Sequence, residues 1–321
     1  MATYLITGIA GFIGSALARA VLAQGGEVRG IDNLSTGKVE NIAEILNRID
    51  FREADLLDMK AVRSACAGTD YVLHQAAIPS VPKSVLDPLS SNRANVDATV
   101  NLLVAARDAK IKRVVYAASS SVYGDTPILP KHEDMPPNPI SPYAVAKLAS
   151  EYYMISFYRC YGLETVCLRY FNIFGPRQDP NSPYSGVLAK FITQMLQGEQ
   201  PTIFGDGTQS RDFTYVDNAV EANLLACRAP ASQVAGGVFN IATGHRADLN
   251  QTFRLLKTLI GDPGEVKYAP ERAGDVKHSL ADISRAEKHL GYQPKVAFEG
   301  GLSQTIEWYR SQEKAAGAKK F

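Results

Sequence analysis

Tyr143 and Lys147, one helical turn apart in the run Tyr143-Ala144-Val145-Ala146-Lys147, carry the clearest chemistry in this chain. Residues four positions apart on a helix share a face, so a phenol and an ammonium would point into the same space. A free phenol titrates near ~10 and is a poor base at neutral pH. A fixed cation beside it, joined by a positively charged nicotinamide ring, favours phenolate and brings the group towards working pH. Such a pair would move a proton on or off an alcohol. Tyr and Lys also meet at this spacing on ordinary amphipathic helices, so the pentapeptide alone leaves both readings open.

Two further patterns bear on it. Gly8-x-x-Gly11-x-x-Gly14 follows a short β-branched and apolar run and opens a helical one. In that setting Gly8 takes a tight turn, Gly11 lets the backbone approach a pyrophosphate, and Gly14 lets the helix pack against the sheet. The helix N-terminus then receives the negative charge. Asp32 ends the next predicted strand, eighteen residues after Gly14. A carboxylate there accepts from ribose hydroxyls and repels a 2′-phosphate, which predicts NAD in preference to NADP. Asp55-Leu56, after the third strand, could meet the adenine edge, although an acidic residue ending a strand is commonly just solvated. Ser119-Ser120-Ser121 follows a fifth strand, where a hydroxyl could orient a substrate alcohol towards Tyr143 or merely cap a turn.

The elements that would hold these groups alternate along the first half of the chain. Strands are predicted at 3–7, 27–31, 50–53, 71–74, 113–118 and 164–169, and helices at 12–23, 59–67, 92–109 and 143–161. That alternation is the signature of an α/β fold, a Rossmann-like doubly wound parallel sheet. Beyond Asn172 the pattern is broken by Gly175-Pro176, Asp179-Pro180 and Gly205-Asp206-Gly207, which places a smaller C-terminal α/β lobe there. A helix at 216–226 and a strand at 238–241 are expected to return to the sheet before a helix at 250–260 resumes the lobe. The expected division is 1–171 plus about 212–242 for the NAD-binding unit, and about 172–211 with 243–321 for the substrate-binding lobe.

Composition narrows the partners. With 321 residues, 45% hydrophobic, 21% charged and a net charge of +1, the chain reads as a globular protein with no electrostatic footprint for nucleic acid or an acidic membrane surface. Residues 4–23 are apolar, but glycines interrupt them and no cationic leader precedes them, so neither a signal peptide nor a membrane span is expected. Cys66, Cys160, Cys167 and Cys227 form no C-x-x-C pair and are expected as reduced core residues of a cytoplasmic protein. The tail from Lys314 is expected to be frayed.

Taken in order, TGIAGFIG at the start, HQAA at 74–77, NVDATVNLL at 95–103, SSSVYG, SPYAVAK, RYFNIFGPRQ at 169–178, GDGTQSRDFTYVDN at 205–218 and ERAGDVKHS at 271–279 resemble an extended short-chain dehydrogenase/reductase. The likeness is to the UDP-glucose 4-epimerase type, most of all the UDP-N-acetylglucosamine 4-epimerases. It implies an isomerase that inverts C4 of a UDP-sugar through a 4-keto intermediate with NAD as internal redox cofactor, acting as a homodimer on nucleotide sugars for polysaccharide biosynthesis. It further implies Ser119, Tyr143 and Lys147 as the catalytic set. Cofactor contacts are implied at Gly8, Gly11, Phe12, Ile13, Gly14, Asp32, Asn33, Asp55, Leu56, Gln75, Ala76, Ala77 and Asn95, and again at Tyr143 and Lys147. Asn172, Arg211 and Arg272 would hold the UDP phosphates or uridine, and Ser80, Ser119, Ser120, Ser121, Gln178 and Ser279 would line the sugar pocket. A 4,6-dehydratase would need an Asp-Glu pair where this chain has Ser120-Ser121, and a uronate epimerase or decarboxylase a cation where it has Gln178-Asp179. A non-catalytic NAD-binding protein on the same fold is the reading from a different class.

Overall fold

The computed structural model describes residues 1–180, 186–261, 264–271 and 276–318, with side chains through 314. Seven strands form one sheet: β1 (Thr3–Thr7), β2 (Glu27–Asp32), β3 (Asp50–Glu53), β4 (Tyr71–His74), β5 (Arg113–Ser119), β6 (Glu164–Tyr170) and β7 (Gly237–Ile241). Their order is β7-β6-β5-β4-β1-β2-β3 and every pairing is parallel. The order reverses between β1 and β4, which opens a crevice at the carboxyl ends of the strands where ligands of doubly wound sheets bind. The strand expected at 238–241 is the seventh, pairing with β6 in register Val238 to Cys167 and Ile241 to Tyr170.

Burial on both faces explains the near-continuous apolar runs of the strands. Helices Phe12–Ala23 and Val216–Arg228 cover one face through Leu17, Val21, Val220 and Leu224. Met59–Cys66, Ala98–Asp108 and Pro142–Tyr161 cover the other through Val62, Leu102, Met154 and Phe157. Arg113 locks β5 to the first of these layers. Its Nε and Nη2 donate to Glu164 Oε2 at 2.8 and 2.6 Å, and its Nη1 donates to the carbonyls of Ala226 and Ala229 at 2.6 and 2.8 Å, capping helix Val216–Arg228.

Three differences from the sequence reading have local causes. The helix predicted at 92–109 starts earlier, because Asp87 accepts from Ser90 N at 3.0 Å as an N-cap and Pro88 takes the first helical position. It passes through a π turn at Arg93–Asp97 before Ala98–Asp108. Cys160 is exposed, whereas Cys66, Cys167 and Cys227 are buried as expected. The last helix, Phe298–Ala318, continues past Lys314, where a frayed tail was expected. Among the described residues no helix is long and apolar enough to cross a membrane.

Candidate active site

A cavity of about 1220 Å³ runs along the carboxyl edge of the sheet, larger than the few hundred Å³ that a single small ligand needs. The glycine turn forms one end. Gly8 has φ +67°, and a Cβ there would lie 2.8 Å from the Ala76 backbone. A Cβ on Gly14 would lie 2.1 Å from Gly8 O, so helix Phe12–Ala23 is seated directly on the turn. That helix starts on Gly11 with no capping side chain, and Gly11, Phe12, Ile13 and Gly14 line the cavity. Uncapped N–H groups at a helix start facing a cavity suit a pyrophosphate.

Asp32 sits beside the turn, 8% exposed. Its carboxylate accepts from Ala10 N and Leu34 N, both at 2.9 Å. Burial raises its pKa while those two N–H groups lower it. The second bond of each oxygen is where ribose hydroxyls would add. Asn33 and Asp55 also line the cavity, joined by a 2.7 Å hydrogen bond from Asn33 Nδ2 to Asp55 Oδ2, with Leu56 next to them. Gln75, Ala76 and Ala77 form the floor. The Gln75 amide is committed to protein: Tyr170 donates to its Oε1 at 3.2 Å and its Nε2 donates to Asn223 Oδ1 at 3.2 Å.

Asn95 does not line the cavity, against its assignment as a cofactor contact. It is buried in the π turn, where its Oδ1 accepts from Ile78 N at 3.0 Å and its Nδ2 donates to Ile78 O at 3.4 Å. Its place is behind the wall, holding the cavity-lining segment at Ile78 by main-chain atoms. Nothing in its side-chain type separates these two positions in sequence.

The candidate proton-transfer groups Ser119, Tyr143 and Lys147 share the cavity wall. Ser141 caps the helix start, accepting from Ala144 N at 3.2 Å, and Ser84 accepts from Tyr143 N at 3.0 Å, which fixes the first turn. Tyr143 and Lys147 both line the cavity. Ser119 ends β5 and lines the same cavity, its hydroxyl close enough to the Tyr143 phenol to draw its pKa down. It also accepts from Ser121 N at 3.1 Å and Ser121 Oγ at 2.8 Å, so it both caps a turn and faces the tyrosine. Lys147 is buried, donates to Ala117 O at 2.9 Å and stands 4.9 Å from the centre of the Tyr116 ring.

Electrostatics here depart from the expectation drawn from spacing. Among the protein's own groups burial dominates: it pushes the Tyr143 phenol up to about 12, with the neighbouring Ser119 hydroxyl pulling the other way. Burial also brings Lys147 down to about 7. A lysine this desolvated answers strongly to charge placed beside it. Beneath them His74 is held neutral, its pKa lowered to about 3 first by burial and then by Lys147. Thr7 Oγ1 bonds its Nδ1 at 2.7 Å and Thr99 Oγ1 its Nε2 at 2.9 Å.

The far end is built by Asn172 and Gln178, which follow β6, and by the segments around Arg211 and Ser279. Asn172, at φ +40°, donates from Nδ2 to Asp212 O at 3.2 Å and to Ser279 Oγ at 3.5 Å. Arg211 donates to Ser210 O and Lys277 O at 3.0 and 3.1 Å. Asp212 anchors this corner, accepting from Thr243 N and Oγ1, Gly244 N and Ala281 N. Asn172, Gln178, Arg211 and Ser279 line the cavity together with Ser80, Ser120 and Ser121. Ser80 also accepts from Lys83 N at 3.0 Å as a helix cap. Arg272 lies outside the described residues.

Sequence reasoning missed four cations in the wall, Lys38, Lys83, Lys131 and Arg177. Lys131 is buried and its ammonium donates to Thr126 O. Lys38 forms a 2.9 Å ion pair with Asp179. Asp179 thus has a cation beside it in the wall.

A glycine turn, an acidic residue ending the second strand and a Ser-Tyr-Lys set share one crevice on a Rossmann-like sheet. The model of the NAD dependent epimerase/dehydratase family matches residues 4–242, and the chain belongs to that family. It is an NAD-dependent isomerase of the extended short-chain dehydrogenase/reductase kind. It is 39% identical over 312 residues to a UDP-glucose 4-epimerase of Mycolicibacterium smegmatis, covering 96% of this chain and 98% of that one. Among solved structures it is similar to the UDP-glucose 4-epimerase of Thermotoga maritima with UDP-glucose, at TM-score 0.92 and 39% identity, covering 97% and 99% of the two chains. It is also similar to the UDP-N-acetylglucosamine 4-epimerase of Methanobrevibacter ruminantium in complex with UDP-N-acetylmuramic acid, at TM-score 0.91 and 42% identity over the same shares.

Proposed function

We propose that the protein is a UDP-sugar 4-epimerase, acting on UDP-glucose and UDP-galactose and on their 2-acetamido counterparts. The observation that carries this reading is that Ser119, Tyr143 and Lys147, the last two one helical turn apart, line the one cavity that the glycine turn also lines. Bound NAD supplies the acceptor and donor of hydride at the sugar's C4. Tyr143 takes the C4 hydroxyl proton, Ser119 orients that hydroxyl, and Lys147 sets the tyrosine's basicity. The resulting 4-keto sugar turns in the cavity while Asn172 and Arg211 keep hold of the UDP. Tyr143 then returns its proton to the C4 oxygen, with the configuration inverted.

The Asp32 environment supports NAD over its phosphorylated form. Asp32→Ala is expected to lose that preference, read as the ratio of NADH to NADPH affinities by fluorescence titration. Wild-type protein that binds NADPH more tightly would overturn the assignment.

Ser279 is the proposed gate on substrate range. It is small, half-buried and beside Asn172, so it leaves space that a tyrosine would fill. Forcing an acetamido group into a filled site costs about 1–3 kcal/mol or more. Wild type is expected to interconvert UDP-GlcNAc and UDP-GalNAc, and Ser279→Tyr to lose that reaction selectively while keeping the UDP-glucose reaction. A product screen across UDP-Glc, UDP-GlcNAc and UDP-GlcA tests both points; a wild type that ignores UDP-GlcNAc, or a variant losing both reactions equally, removes Ser279 from the role. UDP-GlcA belongs in the screen because the buried Lys131 ammonium gives a uronate reading a cation in the wall. Exposed Val85, Leu86, Leu89, Val145 and Tyr152, on segments flanking the Tyr143 helix or within it, support a homodimer, and the free thiols suit the cytoplasm.

A further inference from the structure

Two loops approach each other across the mouth of the cavity. The first follows β2 and is laid onto the glycine turn, Lys38 N donating to Ala10 O at 3.0 Å and Asn41 Nδ2 to the same oxygen at 2.9 Å. The second follows β6 and carries Asn172 and Gln178. It turns sharply, with positive φ at Asn172 (+40°) and Arg177 (+69°), conformations that non-glycine residues hold only where surroundings over-determine them. Two ion pairs join the loops. Lys38 Nζ meets Asp179 Oδ2 at 2.9 Å, and Arg177 Nη2 meets Glu44 Oε1 at 3.3 Å. Glu44 is itself held by Arg19, whose Nε lies 2.6 Å from the same oxygen. Lys38, Arg177 and Asp179 line the cavity; Glu44 and Arg19 do not.

We propose that these pairs form a two-point clasp: Asp179 and Glu44 are positioning residues that hold the 172–179 loop across the dinucleotide groove. Cofactor release then requires both pairs to open. The strained loop that presents Asn172 and Gln178 takes its substrate-binding shape only while fastened to the cofactor half. This second consequence rests on the UDP-sugar reading; the first rests on NAD alone.

Exposed ion pairs are individually weak, so each should contribute a few-fold and the two together about tenfold. The test measures NADH release by stopped-flow displacement with excess NAD, with no sugar present, so its outcome is independent of the epimerase reading. Asp179→Asn and Glu44→Gln leave both facing cations in place. Each is expected to speed release about 3-fold, and the double variant about 10-fold. The charge swap Lys38→Asp with Asp179→Lys should return release to within about 2-fold of wild type, which loss of general stability could not do. In turnover assays the double variant should raise KM for the UDP-sugar while leaving kcat nearly unchanged. Unchanged release in the double variant, with melting temperature and circular dichroism as in wild type, would overturn the clasp. So would slower release in Asp179→Asn, which would mean that the carboxylate keeps Lys38 from the cofactor, and so would a charge swap as fast as the single variant.

Discussion

Tyr143→Phe is expected to lower epimerisation by about 10²-fold or more while leaving the fold and the bound NAD in place. The helix that carries Tyr143 is fixed by the Ser141 cap and by the bond from Tyr143 N to Ser84, neither of which uses the phenol. Removing the hydroxyl leaves Ser119 bonded to Ser121, so no buried polar group is orphaned. The stability change should stay within about 1 kcal/mol. Initial rates of UDP-sugar conversion, set beside the NAD content and melting curve of the same preparation, check the claim. Near-normal turnover in a folded variant would remove Tyr143 from proton transfer.

Gly14→Ala should be strongly destabilising. The new Cβ would stand 2.1 Å from Gly8 O, 2.8 Å from Gly8 C and 2.9 Å from Ile9 Cα, all backbone atoms of the turn. No rotamer change relieves that contact, so the helix must lift from the sheet or the turn must open. A cost of about 3 kcal/mol or more is expected, with loss of NADH binding. Gly162→Ala is the control: Gly162 has φ +70° but nothing within 4 Å of the added Cβ, so it should lose only about 1 kcal/mol. Urea midpoints for the two variants decide it. Equal losses would mean that Gly14 serves backbone freedom and not close packing.

What could be read in advance follows the range of the interactions. The glycine turn, the β1 and β3 boundaries and the Tyr143–Lys147 face are consequences of neighbours within one turn or one strand, and each was legible. Ser119 was legible as either a cap or an orienting hydroxyl; the structure shows the cap, through Ser121 N, and places the residue in the cavity wall with Tyr143. The Lys38–Asp179 and Arg177–Glu44 pairs join residues more than a hundred positions apart, and no spacing rule marks them. Asn95 carries the residue type of a ligand contact, but its side chain is bonded to Ile78, which only the folded chain brings near. The direction of the Tyr143 and Lys147 shifts was hidden for another reason. Spacing displays the neighbouring charge, whereas desolvation depends on how deep the helix face is buried, and here desolvation is the larger effect.

The late seventh strand has a consequence for how the chain is made. β6 ends at Tyr170, yet the strand that covers its open edge begins only at Gly237. On a ribosome, the first six strands are complete long before β7 emerges. Throughout that interval β6, with Val166, Cys167 and Leu168, offers an unpaired and apolar edge to any other nascent chain. Arg113 has no helix end to cap until Ala226 and Ala229 arrive. A stop codon anywhere between Tyr170 and Gly237 therefore leaves the sheet with a sticky border, and such fragments should collect in the insoluble fraction even though every cofactor-contact candidate in the glycine turn has already been synthesised.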